Sequence, residues 1–427
     1  MSKAKRLGGA IGRTPLLAGL PREVAVLSAV AFCVALGFGI LAPALPVFAR
    51  SFGVSALEAS SVISAFALVR FLTSPLSGAL VDRLGERMVM STGLVIVAVS
   101  SALAGLSQSF THLLVLRGIG GLGSSMFTVS AMALLLRVVD TDQRGRAAGA
   151  FQGGFLLGGV AGPAVGGLVV AWSIRAPFFV YAATLTAAAI VAMVFMAKSR
   201  LREREEQVSG GQASKLEELR AALKDRAYQA ALGTNLVTGF VLFGMRVSAV
   251  PLFVTEGMER GASLTGIGFL VSAAIQAVLL LPAGRIADTQ GRRKALIIGT
   301  LGTTAGMVVL TLTDVATNGW GTQAVAGTIL FLLAMAIQGV ASAFLGSAPA
   351  AVVGDVLAGR RGGIVVATFQ MMSDVGAVLG PLVAGLLIDQ FDFDWAFAAG
   401  AALSVVAVIL VLVMPETLHR NRRTLDA

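Results

Sequence analysis

Twelve apolar segments, each about as long as a membrane-spanning helix or longer, restrict the fold of this chain more than any other feature. A helix needs about 20 predominantly apolar residues to cross a bilayer. Hydrophobic residues make up 56% of the chain and charged residues only 13%, whereas soluble domains carry about 25% charge. The chain is therefore predicted to be an all-α membrane protein. The predicted spans are 23–48, 58–80, 88–109, 111–136, 147–171, 175–197, 228–255, 262–286, 294–314, 322–354, 363–388 and 394–415.

Lysine and arginine are distributed unevenly between alternate loops. Cytoplasmic loops of membrane proteins retain basic residues. With both termini in the cytoplasm, the inner segments and the span ends beside them hold 27 of the 33 Lys and Arg residues, and the outer loops with their span ends hold only Arg50, Arg175 and Arg260. This pattern predicts a multi-pass protein of the inner (plasma) membrane with both termini in the cytoplasm. The net charge of +10 then reflects basic loops beside an anionic leaflet, and nucleic-acid binding is not expected.

One charged turn occurs twice along the chain, 206 residues apart (Asp82 to Asp288). The first copy is Gly78-Ala-Leu-Val-Asp-Arg-Leu-Gly-Glu-Arg87, and the second is Gly284-Arg-Ile-Ala-Asp-Thr-Gln-Gly-Arg-Arg293. A second matching pair, Phe151-Gln152 and Phe369-Gln370, is separated by 218 residues, and equally spaced glycines follow each member. These repeats predict two homologous halves, an architecture that is common among secondary transporters.

The repeats and the charged stretch between them divide the chain into five predicted parts. These are a cytoplasmic N-terminal segment (1–22), a first six-helix bundle (23–197), a cytoplasmic linker (198–227), a second six-helix bundle (228–415) and a cytoplasmic tail (416–427). Within the linker, Ser214-Lys-Leu-Glu217 fits a helix capping box, and Leu216, Leu219 and Leu223 fall on one helical face. The linker is predicted to be either a short amphipathic helix on the inner membrane surface or a tether.

Together these motifs resemble the major facilitator superfamily. The turn after the second span is similar to the most general signature of that family, and the weaker copy follows the eighth span, as it does in the family. The resemblance implies twelve transmembrane helices in two pseudo-symmetric bundles, and it extends to the twelve-span drug:proton antiporters. Two positions depart from the signature. Glu86 stands where the family usually has a basic residue, and Thr289 replaces the arginine of the second copy.

The first turn places a carboxylate where it needs a partner. Asp82 lies at the cytoplasmic end of a helix, where the helix dipole disfavours a negative charge. A contact with Arg83, Arg87 or a helix N-terminus can form in one conformation and break in another, so the resemblance implies a conformational switch. A static cytoplasmic staple is the alternative. The predicted switch residues are Gly78, Asp82, Arg83, Gly85, Arg87, Asp288 and Arg293.

Three charged residues inside the spans are assigned to proton coupling, because charges within a bilayer are costly and mark functional sites. Arg117 matches an arginine that the family associates with proton-coupled members, although its position also allows snorkelling to the outer surface. Arg70 and Asp374 lie near the middle of the second and eleventh spans, which are neighbours in the superfamily fold. We predict an Arg70–Asp374 pair that carries a proton, and a permanent structural ion pair is the alternative.

The fifth span contains glycines at ordered spacing. The residues Gly149, Gly158, Gly162, Pro163, Gly166 and Gly167 resemble a signature that the family shows mainly in antiporters, including drug exporters. Glycines permit close helix packing, and proline frees a backbone carbonyl, so the pattern allows bending. Ordinary tight packing is the alternative. The ordered spacing favours export over uptake.

Six further residues are predicted to line the substrate cavity, either because they are polar or aromatic groups within spans or because they recur in both halves. They are Arg246, Gln152, Gln370, Asn235, Phe240 and Gln338. In the family, spans 1, 4, 7 and 10 face the central path. Each side chain could instead pack against other helices or face lipid.

The sequence predicts a secondary active transporter, and no catalytic constellation, P-loop or His/Cys cluster suggests an enzyme, ATP drive or a metal site. The first hypothesis is a monomeric antiporter that needs no cofactor and exchanges protons for small amphipathic or hydrophobic compounds. A dedicated carrier of a metabolite, such as a sugar or an organic anion bound by Arg246 and Arg117, is the alternative. A receptor or a lipid-handling protein that does not transport is a third class.

Overall fold

The computed structural model describes residues 20–139, 144–195, 212–316, 324–357 and 363–418. Every regular element in these ranges is helical, which confirms the prediction of an all-α protein. Eleven described helices are long and apolar enough to cross a membrane. A further helix of 29 residues, Arg144–Trp172, covers the predicted fifth span.

The chain divides into two compact units. Unit 1 comprises Met1–Phe48 and Ala65–Glu203. In chain order from the first span, the helices of the first half are α1 (Arg22–Leu41), α2 (Leu45–Arg50), α3 (Ala56–Leu84), α4 (Glu86–Gly105), α5 (Phe110–Val138), α6 (Arg144–Trp172) and α7 (Ala176–Phe195). The main contacts within the unit are those of α1 with α6 and α7, and those of α4 with α5 and α7.

Unit 2 comprises Arg204–Ala427 together with Ala49–Ser64, so the first residues of α3 are grouped with it. The helices of the second half are α8 (Gln212–Leu223), α9 (Arg226–Val237), α10 (Arg246–Leu252), α11 (Ser263–Thr289), α12 (Arg292–Asp314), α13 (Ala324–Leu345), α14 (Ala348–Leu357), α15 (Gly363–Gln390) and α16 (Phe393–Val413). The helix α12 packs along α13 and α16, and α11 packs along α13.

The seventh span is a continuous helix, Arg226–Gly257, that contains two π-helical segments. Thr238–Met245 lies between α9 and α10, and Phe253–Gly257 follows α10. A π turn accommodates extra backbone within one helical turn and is frequent at functional sites. The first π segment packs closely along α15.

Two predicted spans are interrupted. The first was expected to run over 23–48, but α1 ends at Leu41 and α2 begins at Leu45. Pro43 lies in the turn between them, and a proline in a helix interior removes one backbone hydrogen bond. The tenth span, expected over 322–354, is divided into α13 and α14 by a turn at Gly346 and Ser347.

The predicted linker helix is present as α8. Leu219 packs against the core of unit 2, whereas Leu216 and Leu223 remain exposed. Of the three leucines of the predicted apolar face, the structure packs only Leu219, and the amphipathic, membrane-surface position of α8 stays a prediction. The other cytoplasmic assignments, most of 1–22, residues 198–211 of the linker and most of the tail 416–427, lie outside the described residues.

Candidate transport site

Arg117 is a cation buried within unit 1, with only 2% of its surface exposed. Its guanidinium carbon lies 4.4 Å from the centroid of the Phe66 ring on α3, a cation–π contact. The backbones of α5 and α3 can lie this close only because position 121 is a glycine, since a Cβ on Gly121 would collide with the Phe66 carbonyl oxygen. The Nε and Nη1 atoms of Arg117 have no hydrogen-bond partner among the described residues. The side chain is thus packed inside the unit rather than extended to the surface.

Arg70 and Asp374, predicted to form a pair, are each partly buried and belong to different units. Within unit 2, the backbone beside Asp374 lies against the first π segment, because a Cβ at Gly239 would lie 2.7 Å from the Ser373 carbonyl carbon. One turn earlier, the Asn235 amide donates a 2.6 Å hydrogen bond to the Phe369 carbonyl oxygen. This part of α15 is therefore anchored to the seventh span, and the Arg70–Asp374 pair itself stays a prediction.

The glycines of the fifth span form a packing seam between α6 and α1. A Cβ at Gly158 would lie 2.7 Å from the Leu36 amide nitrogen, and one at Gly162 would lie 2.8 Å from Gly39 Cα. A Cβ at Gly166 would lie 2.9 Å from Ile40 Cα. These glycines, spaced four residues apart, bring two helix backbones into contact without side chains between them. Gly149 has open space around it, and Pro163 and Gly167 also lie in α6.

Unit 2 repeats this seam between α15 and the seventh span. Gly158 and Gly162 correspond to Gly376 and Gly380, which face Phe240 as the first pair faces Leu36. A Cβ at Gly376 would lie 2.5 Å from the Phe240 amide nitrogen, and one at Gly380 would lie 3.0 Å from the Phe240 carbonyl carbon. Corresponding glycines of the two halves are 218 positions apart in the sequence, whereas the residues that they contact, Leu36 and Phe240, are 204 positions apart. The same backbone contact is thus built in both halves of the chain.

The first charged turn is held by contacts within unit 1. Gly85, with a φ of 81°, separates α3 from α4 and adopts a backbone conformation that favours glycine. The carboxylate of Glu86 lies 2.7 Å from the Arg137 guanidinium at the end of α5. Arg87 donates a hydrogen bond to the Met193 carbonyl oxygen on α7. The departure at Glu86 therefore creates an ion pair. Asp82 and Arg83 are exposed, and Gly78 has open space around it.

The second turn lies in a larger polar network within unit 2. Arg292 pairs with Asp288 and, at 3.3 Å, with Asp355 at the end of the tenth span. The Glu416 carboxylate accepts hydrogen bonds of 2.8 and 3.1 Å from the amides of Arg292 and Arg293, and so caps the N-terminus of α12. Arg293 donates to the carbonyl oxygens of Val411 and Leu412.

Arg246 lies on the seventh span directly after the first π segment. Its Nη1 atom donates a 3.0 Å hydrogen bond to Ser272 Oγ on α11. The guanidinium carbon lies 5.7 Å from the centroid of the Phe269 ring. The Nε atom is buried and has no hydrogen-bond partner among the described residues. Arg246 is thus a partly exposed intramembrane cation, fixed at one of its nitrogens.

The other predicted cavity residues occupy different environments. Gln152 and Gln370 are exposed on α6 and α15, and the phenylalanine before each is buried. Phe240 packs against the glycines of α15. Gln338 is fully buried next to Gly306 of α12, and neither of its amide atoms has a partner among the described residues.

Two polar contacts in unit 2 could not be predicted from the sequence. Both oxygens of Asp389, at the end of α15, accept 2.8 Å hydrogen bonds, one from the Ala56 amide and one from the Leu57 amide, in the first turn of α3. Arg50 binds Glu256 through Nε and Nη2, at 2.8 and 2.7 Å. This hydrogen bond raises the pKa of the Arg50 guanidinium above its ordinary value. The partners are more than 200 positions apart, so no local pattern could indicate them.

Comparison with known proteins indicates the family of this chain. The sequence profile described as "Major Facilitator Superfamily" matches residues 27–275 and 237–427. "Multidrug resistance protein 2" of Bacillus subtilis (strain 168) is 22% identical over 395 residues, which cover 90% of this chain and 93% of that protein. "Quinolone resistance protein NorA" of Staphylococcus aureus (strain COL) is 23% identical, and the match covers 94% of this chain and 98% of that protein.

The fold is also similar to solved structures. The crystal structure of "nucleoside transporter NupG" superposes with a TM-score of 0.70 at 15% identity, over 92% of this chain and 99% of that one. At this identity the likeness concerns the fold alone. It agrees with the predicted arrangement of transmembrane helices in two pseudo-symmetric bundles, and the fold-class prediction is confirmed.

Proposed function

Because the chain belongs to the Major Facilitator Superfamily, we propose that this multi-pass membrane protein is a proton-coupled antiporter that exports small amphipathic or hydrophobic compounds by alternating access. The observation that carries the proposal is its likeness, over at least 90% of its length, to proteins named for multidrug and quinolone resistance. These relatives are bacterial, which supports a place in a bacterial plasma membrane. The family consists of transporters, so a catalytic reaction is not part of the proposal.

Proton coupling is assigned to Asp374, Arg70 and Arg117. Burial favours the neutral form of a carboxyl group and a nearby arginine favours the charged form, so a change of surroundings during transport can load and release a proton. Asp374 is suited to this role because it is a partly buried carboxylate on an intramembrane helix that is anchored to the seventh span. The proton gradient supplies the energy, and no cofactor is required.

The proposal includes the membrane topology. Both termini, the linker 198–227 and the repeated turns lie on the cytoplasmic side. One chain, with its bundles 23–197 and 228–415, is the functional unit. The distribution of basic residues supports this orientation, because inner loops retain them.

A dedicated metabolite carrier is the second candidate. The observation that favours it is the intramembrane arginine in each half, Arg117 and Arg246, since each has a buried N–H group without a protein acceptor among the described residues. The relatives' names favour export of drugs over this alternative.

Dye-driven proton release from proteoliposomes tests the first candidate. Addition of ethidium is expected to release protons through the wild type and through Glu217→Gln, an exposed change on α8. Asp374→Asn is expected to bind ethidium and to release no protons. No ethidium-dependent proton movement in the wild type would refute antiport, and full movement in Asp374→Asn would remove Asp374 as the carrier. In cells, lower ethidium accumulation that an uncoupler abolishes separates export from uptake.

A further inference from the structure

Arg50 and Arg246 differ in whether the guanidinium edge formed by Nε and Nη2 has a hydrogen-bond acceptor. In Arg50, Nε and Nη2 together hold both oxygens of the Glu256 carboxylate, at 2.8 and 2.7 Å. Such paired, parallel hydrogen bonds match the planar guanidinium to a carboxylate. In Arg246, the edge formed by Nε and Nη2 has no acceptor among the described residues, because the only hydrogen bond leaves from Nη1 to Ser272.

The surroundings of Arg246 orient this edge without neutralising it. Ser272 fixes Nη1 at 3.0 Å, and the Phe269 ring lies 5.7 Å from the guanidinium carbon. No carboxylate of the described residues lies within ion-pair distance of Arg246. The nearest carboxylate along its own span, Glu256, is engaged by Arg50. An arginine remains charged even when buried, so a bilayer helix that carries one calls for an anion.

From this geometry we infer that Arg246 is the carboxylate-binding residue of a substrate site in unit 2, and that the site takes compounds with one carboxylate on an apolar body. The inference rests on the proposed function, since it names a substrate class for that transporter. Phe269 and Ser272 act as positioning residues, because they hold the guanidinium in place. The carboxylate accepts hydrogen bonds from Nε and Nη2, as the Glu256 carboxylate does at Arg50.

A matched pair of probes tests the inference by direct binding to the purified full-length protein in detergent. Naphthylacetate carries a carboxylate, and naphthylacetamide has nearly the same shape without the charge. The wild type is expected to bind the acid more tightly than the amide. In Arg246→Gln, the affinity for the acid should fall at least about ten-fold, as expected when one partner of a desolvated charge pair is removed, while the amide is unaffected.

Three further variants make the result specific. Arg246→Lys keeps the charge but loses the paired donors, so it should recover only part of the affinity for the acid. Ser272→Ala keeps the full Arg246 side chain and should lower the affinity for the acid but not for the amide. This variant provides the test if Arg246→Gln does not fold. Arg220→Gln removes the same charge from the exposed surface of α8 and should change neither probe.

Equal loss of both probes in Arg246→Gln, or equal binding of acid and amide by the wild type, would overturn the inference. The dye-driven proton assay separates this failure from that of the proposed function. If the wild type exchanges ethidium for protons but does not prefer the acid, only the carboxylate site is refuted. If it prefers the acid through Arg246 but moves no protons, the carboxylate site stands and antiport does not.

Discussion

The carboxylate of Glu86, at the start of α4, lies 2.7 Å from the guanidinium of Arg137, at the end of α5. The Glu86 side chain is only 7% exposed, whereas that of Arg137 is 36% exposed. A residue that departs from the family signature therefore has a partner of opposite charge on a neighbouring helix. The pair joins the first charged turn to the end of the fourth span, so the turn is stabilised by a residue that lies outside its own sequence.

Removal of the cation from this pair is expected to cost more than removal of the anion. Arg137→Gln leaves a buried carboxylate without the guanidinium beside it, which should destabilise the protein by about 1–3 kcal/mol. Glu86→Gln leaves a cation that can reach solvent, so its effect should be smaller. Thermal unfolding in detergent measures both, with Glu217→Gln as the control. An equal loss in the two variants would show that the pair contributes through packing rather than charge.

Alanine at Gly158 is expected to disrupt the seam between α6 and α1, because its Cβ would lie 2.7 Å from the Leu36 amide nitrogen and would meet the Phe32 carbonyl oxygen. Overpacking of this kind costs about 1–3 kcal/mol. Gly159→Ala is the matched control, since a Cβ there meets nothing within 4 Å. Thermal stability and transport should both fall in Gly158→Ala only. If Gly159→Ala is equally harmful, the glycines serve flexibility rather than close contact.

The two charged turns are expected to differ in their importance for transport, and Asp82→Asn should impair it more than Asp288→Asn. Asp288 shares Arg292 with Asp355, so the second turn retains a carboxylate partner when Asp288 is neutralised. Ethidium efflux from cells at matched protein levels measures the difference. Equal efflux in both variants would indicate that both turns are static anchors, and it would contradict a conformational switch in the first turn.

Asp389→Ala is expected to loosen the first turn of α3, because both Asp389 oxygens accept hydrogen bonds from its amides. Loss of a helix N-cap costs about 0.5–2 kcal/mol. Hydrogen exchange at residues 56–59 should accelerate, while exchange in α12, which is capped by Glu416, should not change. Asp392→Ala serves as the control, since Asp392 caps α16 through Phe393. Unchanged exchange at α3 would contradict a stabilising role for this contact.

Much of the fold could be predicted from the sequence, because apolar length, basic loops and repeats are local or periodic signals. The glycines of the fifth and eleventh spans were correctly paired from their common spacing, although their close contact with Leu36 and Phe240 appears only in three dimensions. The helix break at Pro43 was missed, because the apolar run continues through it.

The remaining features depend on tertiary contacts. The Glu86–Arg137 and Asp389–Leu57 contacts join residues that are distant along the chain, and one sequence cannot reveal such pairs. The sequence indicated Arg117 and Arg246 as intramembrane charges but not their environments, which depend on Phe66, Phe269 and Ser272 from other helices. The π segments have no recognised sequence signal in this chain.

The π segment Thr238–Met245 also determines the direction in which the end of the seventh span faces. Successive residues of an α-helix are rotated by about 100° around its axis. If the same residues were wound as an ordinary α-helix, the wide turn would no longer absorb the extra residue, and every later side chain, Arg246 included, would rotate by about that angle. The wide turn therefore sets the angular position of the side chains that follow it, and its conversion to α-helix without loss of a residue would redirect the cation of unit 2 without changing any residue that contacts it.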